Sequence, residues 1–308
     1  MSLLLSLQGA IGQGILWGIM ALGVYITFRI LDIADLTVDG SFATGGAVCA
    51  VAIISGINPI LSIILAILAG FAAGFITGFL HTKCKMPAIL AGILTQLALY
   101  SINLRIMGKS NVPLLQSNTM FKDLANVINV SSSWITIIIG VIFSIVVIVA
   151  VYWFLGTEYG SALRATGNNE NMVKANGVNT DNTKLIGLMI SNGLVALSGA
   201  LVTQQQSVAD VKMGTGAIVI GLASIVIGEV IFGKKAGFKT RLVSIIVGSI
   251  IYRLIVAIVL QMGLNTDDLK LLTALIVAIA LTVPIMLDKQ KQVRMYKKLT
   301  GKDMNENA

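Results

Sequence analysis

The side chains that perform most protein catalysis are scarce in this sequence. It has a single histidine, His81, and two cysteines, Cys49 and Cys84, and the three do not fall at metal-ligand spacings. A serine or cysteine nucleophile would need that one histidine as its base. The basic stretch GKKAGFKT is not a phosphate-binding loop, because Phe238 rather than lysine follows its second glycine. We therefore expect no metal site, no bond chemistry and no ATP hydrolysis in this chain.

Polar groups inside long apolar runs are the second chemical signal, because a charge at the centre of a bilayer costs about 2.5–3.5 kcal/mol on insertion scales. Glu229 and Arg253 each interrupt such a run. They could pair to hold two helices together, or they could line a path for a solute. Uncharged polar groups elsewhere could likewise join helices or line that path. The candidate path residues are Thr37, Asp39, Ser41, Thr95, Gln96, Asn103, Ser191 and Asn192.

Residues 163–179, LRATGNNENMVKANGVN, form a polar segment between two apolar runs. Asn168 and Asn169 can cap the start of a helix, and Glu170 would lie near its positive N-terminal end. Such a helix would have a small apolar face made of Met172, Val173 and Ala175. The residues suit a short helix in water whose apolar face fits a groove, and the alternative is an ordinary solvated loop.

All these groups must be positioned by elements that cross a membrane. The chain is 56% hydrophobic and 12% charged, against roughly 25% charged residues in soluble domains. Its apolar runs reach the about 20 residues that a membrane-spanning helix needs. We therefore predict an all-α, polytopic membrane bundle of about nine spans. The predicted spans are 5–28, 40–56, 59–80, 87–107, 134–155, 184–203, 215–232, 242–262 and 270–287.

The basic residues predict the orientation of this bundle. With the C-terminal tail placed in the cytoplasm, sixteen lysines and arginines fall in inside segments and four in outside segments. This bias puts the N-terminus outside and the polar segment in the cytoplasm. The net charge of +8 suits an anionic inner leaflet and indicates no nucleic-acid partner.

Two stretches of the sequence are similar to each other. ADLTVDGSFATGGAV begins at Ala34 on the predicted inner side, and ADVKMGTGAIVIGLA begins at Ala209 on the predicted outer side. Equivalent segments that enter from opposite sides are typical of an inverted repeat, and broken helices of this kind line transport paths. The charges in 29–40 also predict a break where the second helix should begin. A chance similarity of two short stretches is the alternative.

The block LRATGNNENMVKANGVNTDNTKLIGLMISNGLVALSGALVTQQQ resembles the permease subunits of ATP-binding-cassette importers of the branched-chain amino acid and ribose type. The positions that carry the resemblance are Arg164, Ala165, Gly167, Asn169, Ala175 and Gly177, then Ser191, Asn192, Gly193, Ser198 and Gly199. The early LTVDGSFATGGA is most similar to a branch that is often paired with tryptophan/tyrosine-type binding proteins. This similarity implies an amino acid as cargo.

The resemblance implies that the polar segment is the coupling helix, which docks in a groove of a separate ATPase subunit. The coupling residues are Arg164, Gly167, Asn168, Asn169, Glu170, Met172, Val173, Ala175 and Gly177. It also implies that ATP and magnesium bind that partner, so that this chain carries no cofactor. An extracytoplasmic solute-binding protein and a second copy of the permease complete the expected assembly.

We expect one transmembrane permease domain, residues 1–287, with a cytoplasmic coupling segment at 156–183 and a basic cytoplasmic tail at 288–308. The expected location is the inner (plasma) membrane of a bacterium. The first rival is an ion-coupled secondary transporter, which needs intramembrane carboxylates such as Asp35, Asp39 or Glu229. The second rival is a channel.

Overall fold

The computed structural model describes residues 3–128, 131–233, 237–262, 271, 273–278 and 282. Long apolar helices dominate these residues, as the composition predicts. In chain order the elements are α1 (Leu3–Tyr25), a π-helical turn (Ile26–Ile30), α2 (Thr37–Ile54), α3 (Pro59–Thr82), α4 (Ala88–Met107), β1 (Asn111–Pro113), α5 (Met120–Ile128), α6 (Ser132–Gly156), α7 (Glu158–Asn168), α8 (Glu170–Ala175), α9 (Thr180–Gln206), β2 (Val208–Asp210), α10 (Ala217–Phe232) and α11 (Phe238–Gln261).

The helical membrane bundle predicted from composition is confirmed. Seven helices of the described chain are long and apolar enough to cross a membrane, and α10 is an apolar helix of 16 residues. Eight of the nine predicted spans correspond to α1, α2, α3, α4, α6, α9, α10 and α11. The predicted ninth span, 270–287, falls mostly outside the described residues, and the basic tail, 288–308, falls entirely outside them.

A two-stranded ribbon is a departure from the all-α prediction. β1 and β2 pair in antiparallel register, with Asn111 opposite Asp210 and Pro113 opposite Val208. The strands follow the ends of α4 and α9, so two loops at one end of the bundle satisfy each other's backbone groups. We call this end of the bundle the ribbon end. The opposite end, where α7 and α8 pack against the π-helical turn and α9, is the polar-segment end.

Glycine lets the central helices approach closely. A Cβ atom at Gly70 or Gly74 of α3 would lie within 2.5 Å of the backbone oxygens of Asn192 and Leu188 on α9. A Cβ at Gly199 of α9 would clash with the backbone oxygen of Phe42 on α2. Small residues at such contacts are typical of closely packed membrane helices.

Two of the membrane helices begin after a non-helical stretch. The chain leaves the π-helical turn at Leu31, is not helical through 32–35, and enters α2 at Thr37, three residues before the predicted start. After β2 the chain is again not helical and enters α10 at Ala217. The break predicted before the second helix is present, and a similar break precedes α10.

Candidate functional site: a polar centre and a polar segment

The first break is held together by a buried network that starts at Asp35. One carboxylate oxygen of Asp35 accepts from the backbone N–H of Thr37 at 2.9 Å, and the other accepts from the Asn192 side chain at 2.7 Å. The Asn192 side-chain oxygen accepts in turn from Ser41 at 2.6 Å. The Thr37 hydroxyl pairs with Thr77 of α3 at 2.7 Å. All five side chains are buried, so the network joins α2, α3 and α9 within the protein.

The second break is held by Asp39. Its carboxylate accepts from the backbone N–H of Gly216 at 2.8 Å and from that of Ile218 at 3.0 Å. These N–H groups at the start of α10 have no acceptor within the helix, and the helix dipole there also favours a negative charge. Asp39 is itself half-buried in the first turn of α2. One side chain therefore connects the beginnings of the two interrupted helices, and we call this region, with the Asp35 network, the polar centre.

The remaining candidate path residues lie in three different settings. Ser191 donates to the backbone oxygen of Gly23 on α1 at 2.8 Å, and Thr95 donates to its own helix. Both polar atoms of the Asn103 side chain are buried without a hydrogen-bond partner in the part of the chain that the structure describes. Gln96 is half-buried on α4. The structure therefore gathers Thr37, Ser41, Ser191 and Asn192 around α9, whereas Thr95, Gln96 and Asn103 follow α4.

The intramembrane charges do not form the Arg–Glu pair that the sequence suggested. Glu229 accepts from Arg29, whose guanidinium contacts both carboxylate oxygens. Arg29 lies in the π-helical turn at the end of α1, so this pair joins α1 to α10 near the polar-segment end. Arg253 instead lies over the ring of Trp17 at 4.1 Å. Arg29, rather than Arg253, is the partner of Glu229, because the π-helical turn after α1 brings Arg29 beside α10.

The polar segment consists of two helices rather than one. α7 ends at Asn168, Asn169 adopts an extended backbone conformation, and α8 runs over Glu170–Ala175. The Asn169 side chain accepts from the backbone N–H of Met172 at 3.0 Å and so caps α8. Asn168 lies inside α7 and does not take the capping role that the sequence also offered it.

Glu170 fastens α8 to the membrane helix that follows it. Its carboxylate accepts from Lys174 at 2.8 Å, from Lys184 of α9 at 2.7 Å and from the Thr180 hydroxyl at 3.2 Å. The hydrogen bonds from Lys174 and Lys184 lower the pKa of Glu170 from 4.5 to about 2. The carboxylate is therefore ionised at every physiological pH, and its negative charge also suits the first turn of α8.

The outer face of α8 differs from the predicted apolar face. Val173 is 4% exposed and packs inward, so it is not available to a partner. Met172 is 51% exposed, and Ala175 is exposed beside it. Behind this face, Gly167 fits against the end of α1, where a Cβ would clash with the Ile30 carbonyl oxygen. Gly177 has a φ of +81°, the left-handed conformation that glycine adopts without strain, as the chain turns towards α9.

Comparison with known families identifies the protein class. A family model described as "Branched-chain amino acid transport system / permease component" matches residues 6–283. The chain belongs to this family. The permease is 43% identical over 265 residues to a tyrosine transport system permease protein of Clostridioides difficile (strain R20291), an alignment that covers 86% of each chain.

A more distant relative agrees with this family. The permease is 28% identical to the ribose import permease protein of Escherichia coli (strain K12), over 89% of this chain and 82% of that protein. Two solved structures share the fold. The first, an inward-facing ABC transporter of the metal-chelate type, has a TM-score of 0.51 at 18% identity over 91% of this chain and 84% of that one. The second, PsaBC from Streptococcus pneumoniae in complex with Fab, has a TM-score of 0.50 at 16% identity over 89% and 90%. The permease is thus a membrane subunit of an ABC transport system.

Several residues of these sites carry no clear sequence signal. Arg29 and Thr77 look like a loop charge and a helix-packing residue, and Trp17 is one aromatic residue in an apolar run. Lys184 lies fourteen residues from Glu170 along the chain. Only the charge of Arg29 at the edge of a span could have drawn attention to it. The others become functional candidates because the permease fold places Thr77 beside Thr37, Trp17 beside Arg253 and Lys184 beside Glu170.

Proposed function

We propose that the permease imports an amino acid, and that tyrosine or a related aromatic amino acid is its cargo. The support is the 43% identity to a tyrosine transport permease, together with the LTVDGSFATGGA stretch at the first break. The ribose-type relatives are more distant, at 28% identity. In this proposal the chain performs no bond chemistry and moves its cargo by alternating access.

The observation that carries the coupling part of the proposal is the construction of α8. It is a capped, ion-paired helix with Met172 and Ala175 facing outward at one end of the bundle. Such a helix matches the docking element of a permease, since a cap and ion pairs hold it in place while its outward face is not covered by the described residues. A separate ATPase subunit, which binds ATP and magnesium, would receive this face in a groove.

The contacts behind α8 suggest how a push from the ATPase would reach the cargo. Gly167 of α7 packs on the end of α1, and Glu170 of α8 is paired with Lys184 of α9. α1 continues into the first break, and α9 carries Asn192 to Asp35 in that break. Motion of the polar segment would therefore shift the two helices that border the polar centre.

The rest of the assembly follows from the same proposal. Two copies of the permease would flank one path in the inner membrane of a bacterium, with the polar-segment end in the cytoplasm and the N-terminus outside. A solute-binding protein would deliver cargo at the ribbon end. The nine-span topology and the inverted repeat also belong to this proposal. The two breaks support the repeat, although Ala209–Asp210 forms part of a strand and Ala34–Asp35 does not.

The candidate path residues divide into two groups under this proposal. Thr37, Ser41, Ser191 and Asn192 are buried and hydrogen-bonded, so they would hold the helices that form the path. Asp39, Gln96 and the unpaired Asn103 would be closer to the cargo, with Thr95 beside them on α4.

The rival ion-coupled transporter is less well supported. Its candidate carboxylates already have protein partners: Asp35 has Thr37 and Asn192, Asp39 has the start of α10, and Glu229 has Arg29. A coupling carboxylate has to exchange an ion or proton during transport. If these carboxylates exchanged an ion or proton, they would have to break their contacts with the helix starts and with Arg29 in each transport cycle.

Uptake by reconstituted complexes tests the proposed function. The permease, its ATPase and its binding protein are placed in liposomes, and uptake of labelled tyrosine, leucine and ribose is measured with ATP inside the same compartment as the ATPase. We expect ATP-dependent uptake of tyrosine. Uptake of ribose alone would contradict the amino-acid assignment, and uptake driven by an ion gradient without ATP would contradict the importer class.

A further inference from the structure

Arg253 is a charged residue inside a membrane-spanning helix that has no carboxylate partner among the described residues. Its guanidinium carbon lies 4.1 Å from the centroid of the Trp17 ring, and its Nε is buried without a hydrogen-bond acceptor. The two carboxylates of the polar centre, Asp35 and Asp39, accept hydrogen bonds from other donors. Among the described residues, Arg253 therefore has one aromatic contact and a hydrogen-bonding Nε without an acceptor.

The surroundings of Arg253 place it beside the break before α10. α1 and α11 pack closely, with Gly14 against Ile250 and Gly18 against Ile246, and the Arg253 side chain reaches the Trp17 ring across this contact. Gly221 of α10 packs against Val24 and Met20 of α1, so α10, which begins one turn earlier at Ala217, starts at a depth between Leu16 and Met20 of α1. Broken helices of transporters border the solute site.

The Trp17 ring connects Arg253 to α2. Its centroid lies 4.7 Å from that of Phe42, and Phe42 follows Asp39 by about one helical turn. Trp17 is 7% exposed, whereas Arg253 is half-buried. The ring is thus fixed in the core, and the Arg253 side chain, with its Nε buried, rests on it.

The chemistry of an arginine in this setting favours one class of ligand. A guanidinium stays protonated. An unpaired charge inside a span is costly to insert, so its presence there points to a function. Its planar set of donors matches the two oxygens of a carboxylate, and stacking on an aromatic ring leaves that edge free. We propose that Arg253 binds the carboxylate of the transported solute, and that Trp17 positions the guanidinium. This proposal rests on the proposed amino-acid cargo and explains how the permease would exclude a neutral sugar.

The fluorescence of Trp17 offers a direct test without the binding protein. The full chain has three tryptophans, and the other two, Trp134 and Trp153, are exposed. Replacing both by phenylalanine leaves Trp17 as the only tryptophan of the permease. In lipid nanodiscs this variant is titrated with L-tyrosine and then with L-tyrosinamide, which lacks the carboxylate, at wavelengths that tyrosine does not absorb. We expect tyrosine to change the emission and tyrosinamide to leave it unchanged.

Variants of Arg253 then test the residue itself. Arg253→Gln should weaken the response to tyrosine by about tenfold or more, as the loss of hydrogen bonds to a charged group implies. Arg253→Lys keeps the charge but not the planar fork, and should fall between. Arg105→Gln, an exposed arginine on α4, is the matched control and should respond as the parent does.

Two results would overturn the proposal: an equal response to tyrosine and tyrosinamide in the parent, or a response of Arg253→Gln equal to that of Arg105→Gln. The first comparison needs no Arg253 variant, so it holds even where Arg253→Gln does not fold. Failure of the proposed function shows in a different assay. A complex that imports no amino acid, while Trp17 still responds to the carboxylate, would contradict the cargo and leave the Arg253 site standing.

Discussion

At the scale of single residues, four carboxylates of the described permease hold helices together. Asp35 ties α2 to α9, Asp39 caps α10, Glu170 joins α8 to α9, and Glu229 joins α10 to the end of α1. The free-energy cost of removing a carboxylate from water is much lower when strong hydrogen-bond donors surround it. Each of these contacts therefore contributes to the position of a helix as well as to the charge of the region.

Asn192 tests this fastening role. Asn192→Leu would leave an oxygen of Asp35 and the Ser41 hydroxyl buried without their partner, and each unsatisfied group costs about 1–3 kcal/mol. We expect a lower melting temperature of the purified permease and reduced transport. Gln96→Leu is the control for the melting temperature alone, because Gln96 is half-buried and has no side-chain hydrogen bond in the described structure. An Asn192→Leu protein that melts with the wild type would contradict the buried network.

Glu170 makes the packing of α8 sensitive to acid. Its pKa of about 2 in the folded protein lies below its ordinary value of 4.5, so its ion pairs add stability that is complete above pH 4.5. That stability is lost as the pH falls through about 2. A spin label on a cysteine at Asn171, in a Cys84→Ser background, should become more mobile across this window. The same label in a Glu170→Gln variant should be mobile throughout, and a label whose mobility ignores pH would refute the anchor.

At the scale of elements, α8 stands apart because its outer face is left exposed by the described residues. Val173 points inward, and Asn169 holds the first turn. A proline at Met172 would remove only the N–H that donates to the Asn169 cap, at a cost of about 1 kcal/mol. The larger penalty of about 3 kcal/mol applies to helix interiors. Changes on the exposed face are therefore a cleaner test of docking than helix breakers.

Ala175→Glu is the test of the docking face. Ala175 is exposed and glutamate is a good helix former, so the permease should fold and insert normally. A bulky charge against the ATPase groove should reduce ATPase association, measured by co-purification, and cargo-stimulated hydrolysis. Asn182→Glu places the same charge on an exposed residue in the first turn of α9 and should leave both unchanged. Normal association of Ala175→Glu would rule out this face as the contact.

At the scale of the whole molecule, the ends of the bundle have different chemistry. One end holds the β1–β2 ribbon, and the other holds α7, α8 and the Arg29–Glu229 pair. Helices that alternate in direction must return their loops to the same two ends, so each loop's position follows from its place in the chain. The proposed orientation assigns the ribbon end to the outside.

Cysteine labelling in intact cells tests that orientation. In a Cys84→Ser background, single cysteines replace the exposed Asn168 at the polar-segment end and the exposed Asn111 in the ribbon. The remaining native cysteine, Cys49, is buried. An impermeant maleimide added outside should label the Asn111 site and reach the Asn168 site only after the cells are opened. The reverse pattern would invert the topology.

The sequence by itself determined the class of the protein and most of its helices. Span length and hydrophobic composition depend on local residues, so α1 to α4, α6, α9 and α11 were predicted within a few residues. The polar segment was also visible, because polar residues stand out between apolar runs. The capping of α8 by Asn169 could be read locally, since a cap joins residues three apart.

Only the tertiary structure decided which partners the polar groups have. Asp35 reaches Asn192 over 157 residues and Arg29 reaches Glu229 over 200, and no local pattern encodes such pairs. The same limit explains why Val173 was assigned to the wrong face and why Arg253 was paired with Glu229. A membrane helix is apolar on several sides, so its sequence does not show which side faces lipid and which faces another helix.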